Sequence, residues 1–215
     1  MSSAPNVGLV DYGSGNLRSV GKALEASGAK VTLLTHPARL DELDALVVPG
    51  VGSFGNCASN LRASGLWDPL LEWLRAGRPY LGICLGYQLL FESSEESPGV
   101  QGLGYLAGKV VRFKARGLKI PHMGWNTLVA AKSDLYQDLP DATSFYFVHS
   151  YHPVPADETL VSARCEYGEV FAASISRGAI HAVQFHPEKS QSPGLAVLKN
   201  FLVSIENPHA SATGH

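Results

Sequence analysis

The chain has 215 residues, of which 45% are hydrophobic, and a formal net charge of −2. This size and apolar content allow a large core, so we expect a single domain over residues 1–215, with 207–215 as a frayed polar tail. The balanced charge argues against nucleic acid as a partner, and no apolar run is long enough to cross a membrane. The N-terminus lacks the positive region of a signal peptide and the three cysteines are widely spaced, so we expect a cytoplasmic protein with free thiols.

The first half of the chain alternates short apolar runs with helical segments. The predicted strands cover residues 7–10, 30–35, 45–48 and 79–83. The predicted helices cover residues 16–27, 56–63, 67–76 and 85–91. Strands that alternate with helices in this way are typical of a parallel sheet that is covered on both faces.

From about residue 104 onward, short strands follow one another with only turns between them. The predicted strands cover residues 110–113, 144–149, 160–165, 170–176 and 180–185, and a hairpin turn is predicted at Arg177-Gly178. Pro193 begins a final predicted helix that continues to Ile205. We therefore predict an α/β protein with a mixed, mostly parallel sheet flanked by helices.

The most informative segment joins the strand at 79–83 to the helix at 85–91. Gly82-Ile83-Cys84-Leu85-Gly86 matches the nucleophile-elbow pattern G-x-S-x-G, with sulfur in place of oxygen. The glycines permit a sharp turn that would place the thiol at the start of a helix, where unpaired N–H groups and the helix dipole favour a thiolate. We predict that Cys84 is a nucleophile that forms a thioester, whereas Cys57 and Cys165 lack this context and are predicted to be buried apolar side chains.

A thiol nucleophile needs a base, and the segment Gln184-Phe185-His186-Pro187-Glu188 offers one at the end of a predicted strand. In an extended chain, residues two apart point to the same side, so His186 and Glu188 are expected to face together. The carboxylate would then orient the imidazole, which would take the cysteine proton.

Acyl transfer also needs donors for the oxyanion of the tetrahedral intermediate. The N–H of Leu85, just after the nucleophile, is one predicted donor. The glycine-rich loop after the strand at 45–48 is predicted to supply a second from its backbone, through Gly50, Val51 and Gly52.

Other kinds of site are less well supported by the sequence. Residues 11–16 carry two glycines of a dinucleotide-binding motif, but Arg18 occupies the third position and no acidic residue follows near residue 35. His149 and His152 are three apart on a predicted strand and are expected to point to opposite faces, which does not favour a metal site. We therefore expect neither a cofactor nor a bound metal.

The elbow, the His-Pro-Glu segment and the glycine loop together resemble class I glutamine amidotransferases, over about residues 7–201. Residues 11–20, 121–126 and 146–151 further resemble the glutaminase subunits of imidazole glycerol phosphate synthases. The resemblance implies a flavodoxin-like glutaminase fold and hydrolysis of glutamine to glutamate and ammonia in histidine biosynthesis. It also implies that ammonia passes through a tunnel to a (β/α)₈-barrel cyclase subunit, which forms imidazole glycerol phosphate and aminoimidazole carboxamide ribotide.

The same resemblance implies roles for residues outside the three motifs. The implied substrate-binding residues are Gln88, Glu96, Ser150 and Tyr151. Gln88 lies one helical turn after Cys84, and Glu96 would supply an anion for the α-ammonium group of glutamine. The implied interface with the cyclase consists of Asp11, Asn16, Pro121, Met123, Trp125, Tyr146 and Lys189. We expect Pro121, Met123 and Trp125 to lie on an exposed loop as an apolar contact patch.

Three other interpretations remain open at this point. The chain could be the glutaminase subunit of a different synthase, such as one for pyridoxal phosphate or anthranilate. It could instead be a cysteine hydrolase or peptidase that acts without a partner. A third possibility is a binding subunit that keeps the fold without the chemistry.

Overall fold

The computed structural model describes residues 4–13, 15–114 and 117–206, so the predicted frayed tail at 207–215 lies outside the described residues. The helices are α1 (Leu17–Ala26), α2 (Phe54–Ala63), α3 (Trp67–Arg75), α4 (Leu85–Gln88) and α5 (Gln191–Glu206). The strands are β1 (Asn6–Val10), β2 (Lys30–Leu34), β3 (Ala45–Gly50), β4 (Tyr80–Cys84), β5 (Ser93–Ser94), β6 (Gly108–Arg112), β7 (His122–Val129), β8 (Ser144–His149), β9 (Tyr151–Pro155), β10 (Val161–Glu166), β11 (Val170–Arg177) and β12 (Ile180–Val183).

Within these ranges, one nine-stranded sheet dominates the fold, in the order β2-β1-β3-β4-β12-β11-β10-β7-β8. The first five strands in that order pair in parallel, and the remaining neighbours pair antiparallel. A smaller sheet contains β5, β6 and β9. The predicted α/β class and mixed sheet are confirmed, as is the hairpin at Arg177-Gly178, which joins β11 to β12.

Helices cover both faces of the large sheet. On β3, Ala45 and Val47 pack into one core cluster with residues of α1 and α5. The intervening Leu46 and Val48 pack into a second cluster with residues of α2 and α3. Because successive residues of a strand point to opposite faces, this continuous apolar run reads as a strand that is buried on both sides. None of the helices in the described ranges is long and apolar enough to span a bilayer.

The helix after the elbow is shorter than predicted, since α4 ends at Gln88 rather than at Phe91. The carbonyl groups of Leu89 and Leu90 accept hydrogen bonds from the N–H groups of Leu103 and Leu106, at 2.8 and 2.9 Å. These carbonyls bind a neighbouring segment instead of continuing the helical ladder. A helix of one turn has a small dipole, so the predicted helix-dipole support for a thiolate at Cys84 is weaker than expected.

Three strands were not predicted, namely the two-residue strand β5, β7 and β9. The predicted exposed loop at 121–125 is wrong in its backbone, because His122–Val129 forms β7 and pairs antiparallel with β8. The side chains of Met123 and Trp125 are nevertheless 62% and 50% exposed, as predicted. The missed strand β9 begins two residues after β8 ends.

The register of the parallel strands places the predicted site residues together at one edge of the sheet. Gly50 at the end of β3 lies opposite Cys84 at the end of β4. The neighbouring strand β12 ends at Val183 and leads directly to the segment 184–188. Ligands of open α/β sheets bind outside the carboxyl ends of such strands.

Candidate active site

The backbone at Cys84 has the conformation of a nucleophile elbow. Its φ of 54° lies in the left-handed region, which costs a residue with a Cβ about 1–3 kcal/mol. A Cβ on Gly82 would lie 2.7 Å from the carbonyl oxygen of Gly86, and a Cβ on Gly86 would overlap the carbonyl oxygen of Val48. Both glycines of the motif are therefore needed so that β3, β4 and α4 can approach closely.

His186 and Glu188 form a buried pair beside the elbow. The Nδ1–H group of His186 donates to Oε1 of Glu188 at 2.8 Å, and both side chains are 2% exposed. Burial opposes protonation of the ring, but Cys84 and Glu188 outweigh it, so the pKa of His186 is raised to about 10. The ring therefore favours its cationic form at neutral pH, which supports a negative charge on the neighbouring sulfur.

The reason for this pairing differs from the one predicted. His186 is extended, but Glu188 belongs to a 3₁₀ turn over Pro187–Lys189. The backbone N–H of His186 donates to the carbonyl of Tyr146 at 2.9 Å, and its own carbonyl accepts from the hydroxyl of Ser190 at 2.7 Å. The turn and these anchors, rather than strand alternation, bring the carboxylate to the imidazole.

A cavity of about 270 Å³ opens over the sulfur of Cys84. Its lining includes nine of the predicted catalytic, oxyanion-hole and substrate-binding residues: Val51, Gly52, Cys84, Leu85, Gln88, Glu96, Ser150, Tyr151 and His186. Pro121, Val148 and His149 complete the lining. Two predicted residues lie behind this wall, namely Glu188, which contacts His186, and Gly50.

Gly50 supports the wall of the cavity. A Cβ there would lie 2.5 Å from the hydroxyl of Tyr12 and 2.7 Å from Cβ of Leu85. The next residue, Val51, is exposed, and its carbonyl oxygen accepts from the thiol of Cys57 at 3.6 Å. Gly52 has a φ of 98°, which a residue with a side chain rarely adopts. The three residues thus form a tight turn against the elbow.

The predicted substrate-binding residues are held by specific contacts. The side-chain N–H₂ of Gln88 donates to the carbonyl of Tyr151 at 3.0 Å, while its Oε1 is buried and has no partner among the described residues. One oxygen of Glu96 accepts from the backbone N–H of Phe54 at 2.7 Å, at the beginning of α2. Glu96 therefore both caps a helix and lines the cavity.

Two polar residues at the site were not predicted. Gln184 is fully buried, and its Nε2 lies 3.6 Å from the sulfur of Cys84. His149 lines the cavity, and burial lowers its pKa well below the usual value. A polar side chain within the apolar run 180–185 was the available signal for Gln184, while nothing in the local pattern marked His149.

The prediction that His149 and His152 diverge is wrong. The ring of Phe113 lies 5.1 Å from that of His149 and 4.7 Å from that of His152. Because β8 ends at His149 and β9 begins at Tyr151, the break at Ser150 interrupts the alternation of side chains. Throughout ranges 4–13, 15–114 and 117–206, no group of three His, Cys, Asp or Glu side chains could hold a metal ion.

Four of the predicted interface residues form one surface, which we call the β7–β8 patch: Met123, Trp125, Tyr146 and Lys189. Trp125 pairs with Tyr146 across the two strands, and their rings meet edge to face at 6.2 Å. The Nζ atom of Lys189 lies 5.8 Å from the centre of the Tyr146 ring. This patch therefore combines exposed aromatic area with a cation.

The other predicted interface residues have local contacts of their own. Pro121 is exposed and also lines the cavity. The side chain of Asp11 accepts from the backbone N–H of Gly13 at 3.0 Å. The exposed Asn16 caps α1, since its Oδ1 accepts from the N–H of Ser19 at 3.4 Å.

Comparison with known proteins agrees with this geometry. The family model described as class I glutamine amidotransferase matches residues 8–205. Imidazole glycerol phosphate synthase subunit HisH of Syntrophotalea carbinolica is 47% identical over 200 residues, which cover 90% of this chain and 97% of the relative. Imidazole glycerol phosphate synthase hisHF of Arabidopsis thaliana is 46% identical over 199 residues, which cover 91% of this chain and 34% of that longer protein.

A solved structure has the same fold. A crystal structure of a glutamine amidotransferase superposes with a TM-score of 0.71 at 25% identity and covers 93% of this chain and 98% of the other. The family match begins within the first strand and ends within the last helix. The chain therefore belongs to the class I glutamine amidotransferase family.

Proposed function

We propose that the chain is the glutaminase subunit of an imidazole glycerol phosphate synthase and acts in histidine biosynthesis. The observation that carries this proposal is that a strained cysteine and a histidine paired with a buried glutamate line one cavity in a member of this family. The two relatives described above, whose names include this synthase, match about nine tenths of the chain at 46–47% identity.

The reaction begins with the thiol proton of Cys84 already on Nε2 of His186, because the raised pKa of His186 favours its cation. This nitrogen is buried, and the interaction of the ring with Cys84 helps to raise the pKa of His186, so the nitrogen is oriented to exchange a proton with the nucleophile or the substrate. Glu188 holds the other ring nitrogen, fixes the tautomer and stabilises the cation that forms. The thiolate then attacks the side-chain carbonyl carbon of glutamine.

The attack creates a tetrahedral intermediate whose oxygen carries a negative charge. Backbone N–H groups of Leu85 and of the turn formed by Gly50, Val51 and Gly52 are the proposed donors to this oxygen. When the intermediate collapses, His186 gives its proton to the leaving nitrogen, and ammonia departs. A water molecule, deprotonated by His186, then attacks the thioester and releases glutamate and the free thiol.

The size and polarity of the cavity suit one free amino acid. Its volume of about 270 Å³ lies just below the range of about 300–1,000 Å³ that is typical for drug-sized ligands. The unpartnered Oε1 of Gln88 can accept an N–H group of the substrate, and Glu96 offers a negative charge for the ammonium group. Ser150 and Tyr151 complete this proposed substrate-binding set.

The ammonia acceptor is proposed to bind a separate cyclase subunit with a (β/α)₈ barrel. The β7–β8 patch, with Asp11, Asn16 and Pro121, is the proposed docking surface for that subunit. Ammonia would pass to it through a tunnel, which prevents loss of the free base to water. Since Cys57, Cys84 and Cys165 form no disulfide, we place this complex in the reducing cytoplasm.

The test is to mix the chain with a cyclase subunit and its nucleotide acceptor and to measure glutamate release and imidazole glycerol phosphate formation. Both should stop in Cys84→Ala with glutamine as nitrogen source, while ammonium salts should restore the second product. A glutamine-analogue electrophile should label Cys84, with Cys57 and Cys165 as internal controls. The proposal would be contradicted if imidazole glycerol phosphate formed from glutamine without this chain. Labelling at Cys57 or Cys165 would show that Cys84 is not the nucleophile.

A further inference from the structure

We propose that Gln184 is a positioning residue whose side-chain amide holds the sulfur of Cys84 and the amide of Gln88 in one fixed arrangement. This inference rests on the proposed glutaminase function, in which Cys84 attacks the substrate. It adds a residue that supports the nucleophile from the side opposite to the solvent.

The geometry around Gln184 uses both halves of its amide. Nε2 donates toward Sγ of Cys84 at 3.6 Å, and Oε1 accepts from Nε2 of Gln88 at 3.1 Å. The backbone N–H of Gln184 donates to the carbonyl of Ala173 at 2.8 Å, which anchors the residue at the end of β12. A fully buried amide whose two ends meet a donor and an acceptor has only one satisfied orientation.

That orientation also fixes the orientation of the side-chain amide of Gln88. The N–H₂ group of Gln88 has two hydrogens, which are directed to Oε1 of Gln184 and to the carbonyl of Tyr151. Its remaining polar atom, Oε1, is the buried acceptor that has no partner among the described residues. Gln184 thereby decides that the atom of the Gln88 amide left without a partner is the acceptor and not a donor.

The N–H···S contact affects the chemistry of the nucleophile as well as its position. A donor binds a thiolate more strongly than a thiol, because hydrogen bonds to charged groups are the stronger ones. The one-turn helix α4 contributes little dipole at this place, so a side-chain donor supplies support that a longer helix would give. The other ionisable groups that face Cys84 across the cavity are Glu96, His149, Tyr151 and His186, with Glu188 behind the last.

Two substitutions of Gln184 test the hydrogen bond that its side-chain N–H₂ donates to the sulfur of Cys84. Gln184→Glu nearly preserves shape and can still accept from Gln88, but its carboxylate cannot donate to sulfur. Gln184→Met preserves volume and removes both hydrogen bonds. Gln137→Glu makes the same chemical change at an exposed position and serves as the control.

The measurement is the rate at which iodoacetamide alkylates Cys84 as a function of pH, in the full chain with the cyclase subunit present. Both Gln184 variants should shift the midpoint to higher pH and slow alkylation about tenfold at neutral pH, with the larger shift in Gln184→Glu. The control should keep the wild-type profile. A merely structural role would lower the unfolding midpoint in urea without moving the alkylation midpoint.

The outcomes distinguish this inference from the function on which it rests. If a glutamine-analogue electrophile does not label Cys84 in the wild type, the proposed function fails. If the wild type is labelled but a folded Gln184 variant keeps the wild-type alkylation midpoint, only the inference is overturned. If neither variant folds, Gln184 is required for folding and its assignment as a positioning residue is likewise overturned.

Discussion

Lowering the pH from 7 to 5 is expected to destabilise the fold through His181, a buried histidine that takes no part in the proposed reaction. His181 lies on β12, its Nδ1 is 2.9 Å from the hydroxyl of Ser176, and its ring packs edge-on against Phe201. Burial lowers its pKa from the ordinary 6.5 to about 4, although Asp134 acts weakly in the opposite direction. The imidazole is therefore neutral in the folded chain at a pH where it is charged in the unfolded chain.

The sign and the size of the effect follow from the two pKa values. Below pH 6.5 the imidazole of His181 binds a proton in the unfolded chain but not in the folded chain. The free energy of unfolding therefore decreases as the pH is lowered, until His181 is protonated in the folded chain near pH 4. For these values, the free energy of unfolding decreases by about 1.8 kcal/mol between pH 7 and pH 5. Most carboxylates titrate below this window, but burial also lowers the pKa values of His122, His149 and His152. The contribution of His181 is therefore measured as the difference between the wild type and a variant without this histidine.

The assay is urea denaturation at pH 7, 6 and 5 for the wild type, His181→Asn and Ser176→Ala. Asparagine places a neutral amide near the position of Nδ1, so His181→Asn should lose about 1.8 kcal/mol less than the wild type across this range. Ser176→Ala removes the hydrogen-bond partner but keeps the titrating group, so it should retain the wild-type pH dependence. Equal slopes for His181→Asn and the wild type would refute the reasoning.

Three further perturbations address the site and the surface. Glu188→Gln should lower glutaminase kcat by about 10²–10⁴-fold, because the imidazolium beside it loses its counter-charge; an unchanged kcat would remove the residue from the mechanism. Gly86→Ala should reduce the free energy of unfolding by about 3 kcal/mol, because the new Cβ would overlap a carbonyl of β3. The control Gly28→Ala introduces only a strained φ and should cost about 1 kcal/mol. Similar losses for the two variants in urea denaturation would contradict the predicted overlap at Gly86. Trp125→Ala should weaken binding of the cyclase subunit by about tenfold or more in titration calorimetry, and the exposed Leu33→Ala at the opposite edge of the sheet should not.

The sequence predicted those parts of the fold that depend on local pattern. The strands near the elbow are continuous apolar runs, and Asn16 and Gly28 mark the ends of α1, so their positions were readable. By contrast, β7 contains Gly124 and Asn126 and lacks a clear alternation, so its pairing with β8 is decided by tertiary contacts.

The candidate site was predictable to a similar degree. The elbow and the His-Pro-Glu segment are compact motifs, so Cys84 and His186 were identified at once. The role of Gln184 and the approach of His149 to the cavity depend on neighbours far away in the chain. Helix α4 likewise ends early because carbonyl groups that follow it accept hydrogen bonds from the segment 103–106. No local sequence pattern indicates this contact.

The left-handed backbone at Cys84 has a consequence for the durability of the protein. Glycine is the residue that this conformation prefers, and it would relieve a strain of about 1–3 kcal/mol. A chain with glycine at this place would resist heating better, yet it would carry no sulfur. The protein is thus less stable at the position where the reactive sulfur is needed, and such a local trade of stability for activity is typical of an enzyme.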